Sequence, residues 1–213
     1  MIVLLPWILR KWVLIYVFKY DIHSTASIGW AWVFPTKLKM GPGSRIDHGT
    51  VVKGLEEVVI EENASIGRLN WITGEPMGSK SFSSNIHRNP KLVLKRESAI
   101  TNRHLIDCTD TVIIHEYAIV AGFRSQILTH SIDLQKSIQD CQSIEIGAYC
   151  FVGTGVIILG GSYLPDYSIL GAGSLLNQQF EDKHFLYGGV PAKAIKKLDP
   201  NMEFFHRKKG YVS

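Results

Sequence analysis

From Ile146 onward an aliphatic residue returns at every sixth position: Ile146, Val152, Ile158, Leu164, Leu170 and Leu176. A period of six matches neither the 3.6 of a helix nor the 2 of a simple strand, so each hexamer must be a short strand followed by a turn. Four places after the first five of these stands a small or β-branched residue, at Cys150, Val156, Ser162, Ser168 and Ser174, and glycine follows the aliphatic at Gly147, Gly153 and Gly171. The 19 glycines fall mostly inside apolar runs, which is wrong for helices.

The same beat runs earlier in pieces. Leu94, Ile100, Ile106 and Val112 keep it, the spacing jumps by two, and it resumes at Ile114 and Val120. Upstream, Ile46, Val52 and Val58 are followed by a jump of two and by Ile60, Ile66 and Ile72, and a third jump lies between Ile144 and Ile146. Alternating aliphatics at the jumps predict longer strands with two inward side chains. The 54 residues between Ile60 and Ile114 are three times eighteen, which suggests coils of three hexamers forming a triangular prism. The class expected is all-β, a parallel β-helix over residues 22–196. Polar stretches at 75–91 and 131–143 read as loops thrown out from it, and long loops on a rigid scaffold are where function tends to sit.

A chain of 213 residues, 46% hydrophobic and 20% charged, can bury a real core. Its charge of +4 is scattered, with no basic stripe interleaved with aromatics, so no nucleic-acid partner is expected. The basic cluster His206 to Lys209 is expected to be solvated, within a C-terminal tail at 197–213. Cys108, Cys141 and Cys150 form no CxxC pair and no even set, which fits a reducing, cytoplasmic setting. Residues 1–21 are apolar and read as a short helix. Arg10 and Lys11 argue against a span, and the segment is expected either to pack on the β-helix end or to contact the cytoplasmic face of a membrane through residues 1–18. After Leu176, G-G-V-P at 188–191 leads into A-K-A-I-K-K-L, expected as a short return segment or helix.

The string I-E-I-G-A-Y-C-F-V-G-T-G-V-I-I-L-G-G-S-Y-L-P-D-Y-S-I-L-G-A-G-S-L-L, followed by Y-G-G-V-P-A-K-A-I-K, resembles the hexapeptide-repeat acyltransferases. Within them it is similar to the O-acetyltransferases of polysaccharide, capsule or lipopolysaccharide biosynthesis. The likeness is strong over 129–196 and looser over 22–128. Asn177 and Gln178 depart from the Thr-Lys of many members, and Leu159 and Pro165 replace the usual glycine or acidic residue. The resemblance implies a left-handed helix, a homotrimer, and acetyl-CoA bound between neighbouring subunits. It also implies a catalytic histidine in a T-H context shortly before the last block of hexapeptides, which is His130 here. An oxyanion donor is implied at Thr154 after Gly153. Gly171 and Ala172 would let the pantetheine arm approach the backbone, and Lys193 and Lys196 would face the phosphates.

Acetyl transfer from a thioester to a sugar hydroxyl needs a base, an oxyanion donor and alignment of both substrates. Histidine suits the first, being largely neutral near pH 7 with an ordinary pKa of about 6.5. His130, at the edge of a loop, is the first candidate, with Asp133 to orient it. His48, in R-I-D-H-G-T, is its rival, and His104 with Asn102 is expected to help hold the acceptor. No HxxxH or CxxC spacing appears, so no metal is expected. Alternatives are an amino-sugar N-acetyltransferase, a serine O-acetyltransferase, or a non-catalytic β-helix scaffold.

Overall fold

The computed structural model describes residues 2–82 and 87–212. It is a parallel β-helix of seven coils whose strands stack into three sheets. The first sheet runs from Asp21–Ile22 to Tyr163–Leu164, the second from Ser27–Ile28 to Ile169–Leu170, and the third from Trp32–Phe34 to Leu175–Leu176. Coil-to-coil pairing is in register and parallel, as with Leu94 on Ile60 and on Ile114. The six-residue aliphatics are therefore the inward positions. Ile60, Ile66, Ile72, Leu94, Ile100, Ile106, Ile146, Val152 and Ile158 are among the core residues, each at most 1% exposed. Replacing one by alanine would cost about 2–5 kcal/mol.

The 54 residues from Ile60 to Ile114 span two coils and not three, because Leu94 lies between them in the stack and the 75–91 excursion enlarges the first coil. The 75–91 stretch, whose residues 83–86 lie outside the described residues, contains a 3-10 turn at Lys80–Phe82. The 131–143 stretch is no irregular loop: β1 (His130–Asp133) and β2 (Ile138–Cys141) pair antiparallel as a hairpin. Both excursions leave the corner where the third sheet hands over to the first, and β2 packs against the Lys80–Phe82 turn.

After the last coil, β3 (Phe185–Gly188) joins the second sheet, and β4 (Lys193–Lys197) pairs antiparallel with it where a helix was one expectation. Residues 198–212 are mostly exposed, with Leu198 and Phe205 buried. They return along the corner between first and second sheets, where Tyr117, Tyr149, Tyr167 and His184 stack at successive turns. Phe205 packs edge-on to Tyr167 and His184, and the Arg207 guanidinium lies 4.0 Å from the Phe204 ring and 5.4 Å from that of Tyr149.

At the other end, α1 (Trp7–Tyr16) covers the first coil, with Leu14 buried. Among the described residues no helix is long and apolar enough to cross a membrane.

Candidate active site

The strand Leu105–Asp107 of the third sheet ends at the corner from which both excursions depart. Asp107, 6% exposed, follows inward Ile106 and pairs in register with Leu128 of the next coil. Its carboxylate is thereby set beside Thr129 and His130. Oδ2 accepts from Thr129 Oγ1 at 2.6 Å and from the backbone N–H groups of Thr129 and His130, each at 3.1 Å. Oδ1 accepts from Thr109 Oγ1 at 2.7 Å. Burial alone would raise the Asp107 carboxyl, but the hydrogen bonds from Thr129, Thr109 and His130 outweigh it and hold the group below its usual range.

The same Oδ2 lies 3.1 Å from His130 Nδ1. An ionised carboxylate only accepts, so Nδ1 donates to it, and in the neutral tautomer that this selects, the lone pair is on Nε2. The His130 side chain is 46% exposed and lines an open cleft of about 510 Å³. Lys53, Trp71, Glu75, Phe82 and Gln139 share that cleft. The Phe82 ring meets His130 edge-on at 6.1 Å, and the Arg88 guanidinium stacks 4.7 Å from Phe82. Arg88 is buried and donates to the carbonyls of Glu75, Pro76 and Thr109, which pins the first excursion to the corner that carries Asp107.

Other expected residues lie elsewhere. Asp133 does not orient His130: its Oδ1 accepts from the N–H groups of Gln135 and Lys136, and its Oδ2 lies 3.3 Å from Lys136 Nζ, so it shapes the hairpin turn. His104, expected to help hold the acceptor, is 2% exposed at the opposite corner, between second and third sheets. Its Nδ1 accepts from Ser125 N–H at 3.2 Å, and Nε2 is 3.0 Å from Thr101 Oγ1. It is one rung of a polar ladder in which Thr50 Oγ1 accepts from Asn70 N–H and Asn70 Oδ1 from His104 N–H. Burial lowers its pKa from 6.5 to about 4, which keeps the ring neutral. Asn102 accepts from Arg68 N–H and lines a different groove, beside Ile100 and Tyr211. His48 Nδ1 accepts from Trp30 N–H, so it too serves a turn.

The second-to-third corner also carries the residues expected to hold the donor. Thr154 Oγ1 donates to Phe123 carbonyl and accepts from Phe123 N–H, both at 3.0 Å, so the hydroxyl is already paired within the chain. Gly153 is packed, since a Cβ there would come within 2.6 Å of Ala172 N. The Gly171 N–H is taken by Tyr187 carbonyl at 2.8 Å, and Ala172 and Gly173 are the exposed residues of that turn. A Cβ on Gly155 or Gly173 would meet nothing within 4 Å, so two stacked turns leave an open backbone path. Lys193 and Lys196 are exposed on β4, whose preceding turn is tied to this corner by Ala192 N–H on Leu175 carbonyl at 2.7 Å. Thr154 and His130 thus stand at opposite ends of the third sheet. Among the described residues no group of three His, Cys, Asp or Glu could hold a metal ion.

No family model matches the chain. The galactoside O-acetyltransferase of Escherichia coli is 24% identical over 164 residues, covering 76% of this chain and 77% of that protein. Among solved structures, the polysialic acid O-acetyltransferase OatWY superposes with a TM-score of 0.63 at 16% identity, over 84% of each chain. The hexapeptide-repeat acetyltransferase VCA0836 of Vibrio cholerae, complexed with acetyl coenzyme A, gives 0.53 at 19% identity over 65% of this chain and 69% of that one. The chain is a left-handed β-helix of the hexapeptide-repeat type. These relatives are hexapeptide-repeat acyltransferases, the family that the repeat string resembles. AntD, an N-acyltransferase from Bacillus cereus whose structure holds dTDP and coenzyme A, covers 92% of each chain with a TM-score of 0.52 at 14% identity.

Asp107 is the member of this candidate site that sequence reasoning missed. The signal was present as an acid directly after an inward aliphatic in H-L-I-D-C-T, one coil before T-H.

Proposed function

We propose that this chain is an acetyl-CoA-dependent O-acetyltransferase acting on a sugar hydroxyl of a surface glycan. The observation that carries the reading is the His130–Asp107 pair, with Nε2 turned away from the carboxylate at an open cleft. In this role His130 Nε2 takes the proton of the acceptor hydroxyl as its oxygen bonds to the thioester carbonyl carbon. The C–S bond then breaks and His130 returns the proton to the departing sulfur. Asp107 fixes the tautomer and orients the ring as a positioning residue, and its negative charge favours the imidazolium that forms.

The donor residues expected on the opposite corner fit this scheme in a homotrimer. The outer face of the third sheet carries Trp32, Trp71, Leu105 and Ile157, all exposed. Large exposed apolar patches of this kind mark interaction sites. When that face turns toward a threefold axis, the His130 corner of one subunit adjoins the Thr154, Gly171 and Ala172 corner of the next. The open path over Gly155 and Gly173 then offers room for a pantetheine arm, and Lys193 and Lys196 stand near its phosphates.

The test is thiol release from acetyl-CoA against a panel of galactosides, sialosides, other glycans, amino sugars and serine, with mass read by light scattering. The proposal expects acceptor-dependent release with a sugar hydroxyl, and about three chains per particle. Release only with an amine or with serine would reassign the acceptor, and neither release nor coenzyme A binding would leave a scaffold. Restored activity on mixing His130→Ala with Ala172→Trp would support a site shared between subunits.

A further inference from the structure

The helix α1 is amphipathic in the reverse sense. Its two charged side chains turn toward the protein: Arg10 is buried and donates to the carbonyls of Val3, Ile28 and Gly29. Lys11 Nζ donates to the carbonyls of His23 and Ser24 at 2.7 and 2.8 Å. Its outward face is Ile8, Leu9, Trp12 and Tyr16, with Ile8 82% and Trp12 59% exposed. A surface helix ordinarily buries its apolar stripe and shows its charges to water. Satisfying the carbonyls at the first coil explains the inward cations. It does not explain four large apolar side chains on the side away from the core.

Charge is also segregated along the chain. Of the 23 Lys and Arg, six lie in the first 45 residues, against one of the 19 Asp and Glu, Asp21. Lys19, Lys37 and Lys39 are exposed at the α1 end. Face-to-face pairing of two such ends would oppose like charges. An anionic lipid surface matches both features, since it accepts apolar side chains below the headgroups and attracts the lysines above them. Tryptophan and tyrosine suit that boundary, having an apolar body and a polar tip.

We propose that this end of the β-helix docks on an anionic membrane surface, with α1 lying in the interfacial plane. The inference does not depend on the acetyltransferase reading. It is tested by flotation of the full chain with vesicles of phosphatidylcholine alone or containing phosphatidylglycerol. Binding is expected to be at least tenfold stronger with phosphatidylglycerol, at about fivefold per lysine, and to weaken as salt is raised. The double substitution Ile8→Ser, Trp12→Ser should reduce it at least tenfold with the melting temperature and particle mass unchanged. The triple substitution Lys19→Gln, Lys37→Gln, Lys39→Gln should abolish the lipid preference while leaving α1 in place. Failure to float with phosphatidylglycerol vesicles would overturn the proposal. So would a lower particle mass in the Ile8→Ser, Trp12→Ser protein, since that face would then be covered by a second copy.

Discussion

His104 and His130 sit at opposite ends of two paired strands of the third sheet, His104 just before Leu105–Asp107 and His130 just beyond Gln126–Leu128. The fold treats them in opposite ways. At one corner the coils close tightly, and His104 is enclosed as a neutral rung between Asn70 and Ser125. At the other the chain leaves for two excursions, the corner opens, and His130 faces a cleft with a buried carboxylate behind it. Residue type alone does not separate a structural histidine from a candidate base. What separates them is which corner of the prism is interrupted.

The comparison is broken most severely by removing His130. His130→Ala should lower turnover by roughly 10²–10⁴ with coenzyme A binding and the melting temperature nearly unchanged, as read by steady-state thiol release and calorimetry. Asp107→Asn should have the next largest effect. It presents an amide where Thr109, Thr129 and His130 all donate, so a fall of about 10–10²-fold in turnover is expected, together with a lower melting temperature.

His104→Ala should reverse the pattern. About 2–4 kcal/mol of stability is lost through the cavity and the unpaired Ser125 N–H, while turnover of the folded fraction changes less than twofold.

Acid sharpens the contrast further. The folded pKa of His104 lies below its unfolded value, so its neutral form is favoured and no penalty exists above pH 6.5. Stability is then lost as pH falls from 6.5 to about 4, by about 3 kcal/mol in all. Asp107 is also depressed, so its contribution is present above the ordinary carboxylate range and is lost only at lower pH, as it protonates in the folded chain. Chemical denaturation as a function of pH should show the first loss vanish in His104→Gln and persist in Asp107→Asn.

The repeat was legible because a stacked core demands one aliphatic per face, and Ile146 to Leu176 show that demand without interruption. Coil count was harder: the 54-residue interval mimicked three coils because an excursion happened to fill one coil's length. His130 was singled out as a candidate from its T-H setting and the resemblance, whereas Asp107 was not. Its place beside His130 arises from register between strands of successive coils, which a residue-by-residue reading does not supply. Asp133 is nearer in sequence, but the carboxylate beside His130 belongs to a residue 23 positions away. Within the basic cluster at His206 to Lys209, His206, Lys208 and Lys209 are exposed and Arg207 alone is partly covered. Arg207 looks solvated by composition, yet the aromatic turns at Tyr117 and Tyr149 are built at one corner and give it a face to pack on.

Chemical rescue tests the role of His130 most directly. Free imidazole added to His130→Ala should restore a saturable part of thiol release, with the rescued rate following the neutral form of imidazole as pH is varied, and should leave His104→Ala unaffected. Turnover that persists in His130→Ala without imidazole, or that disappears in folded His104→Ala, would contradict the account.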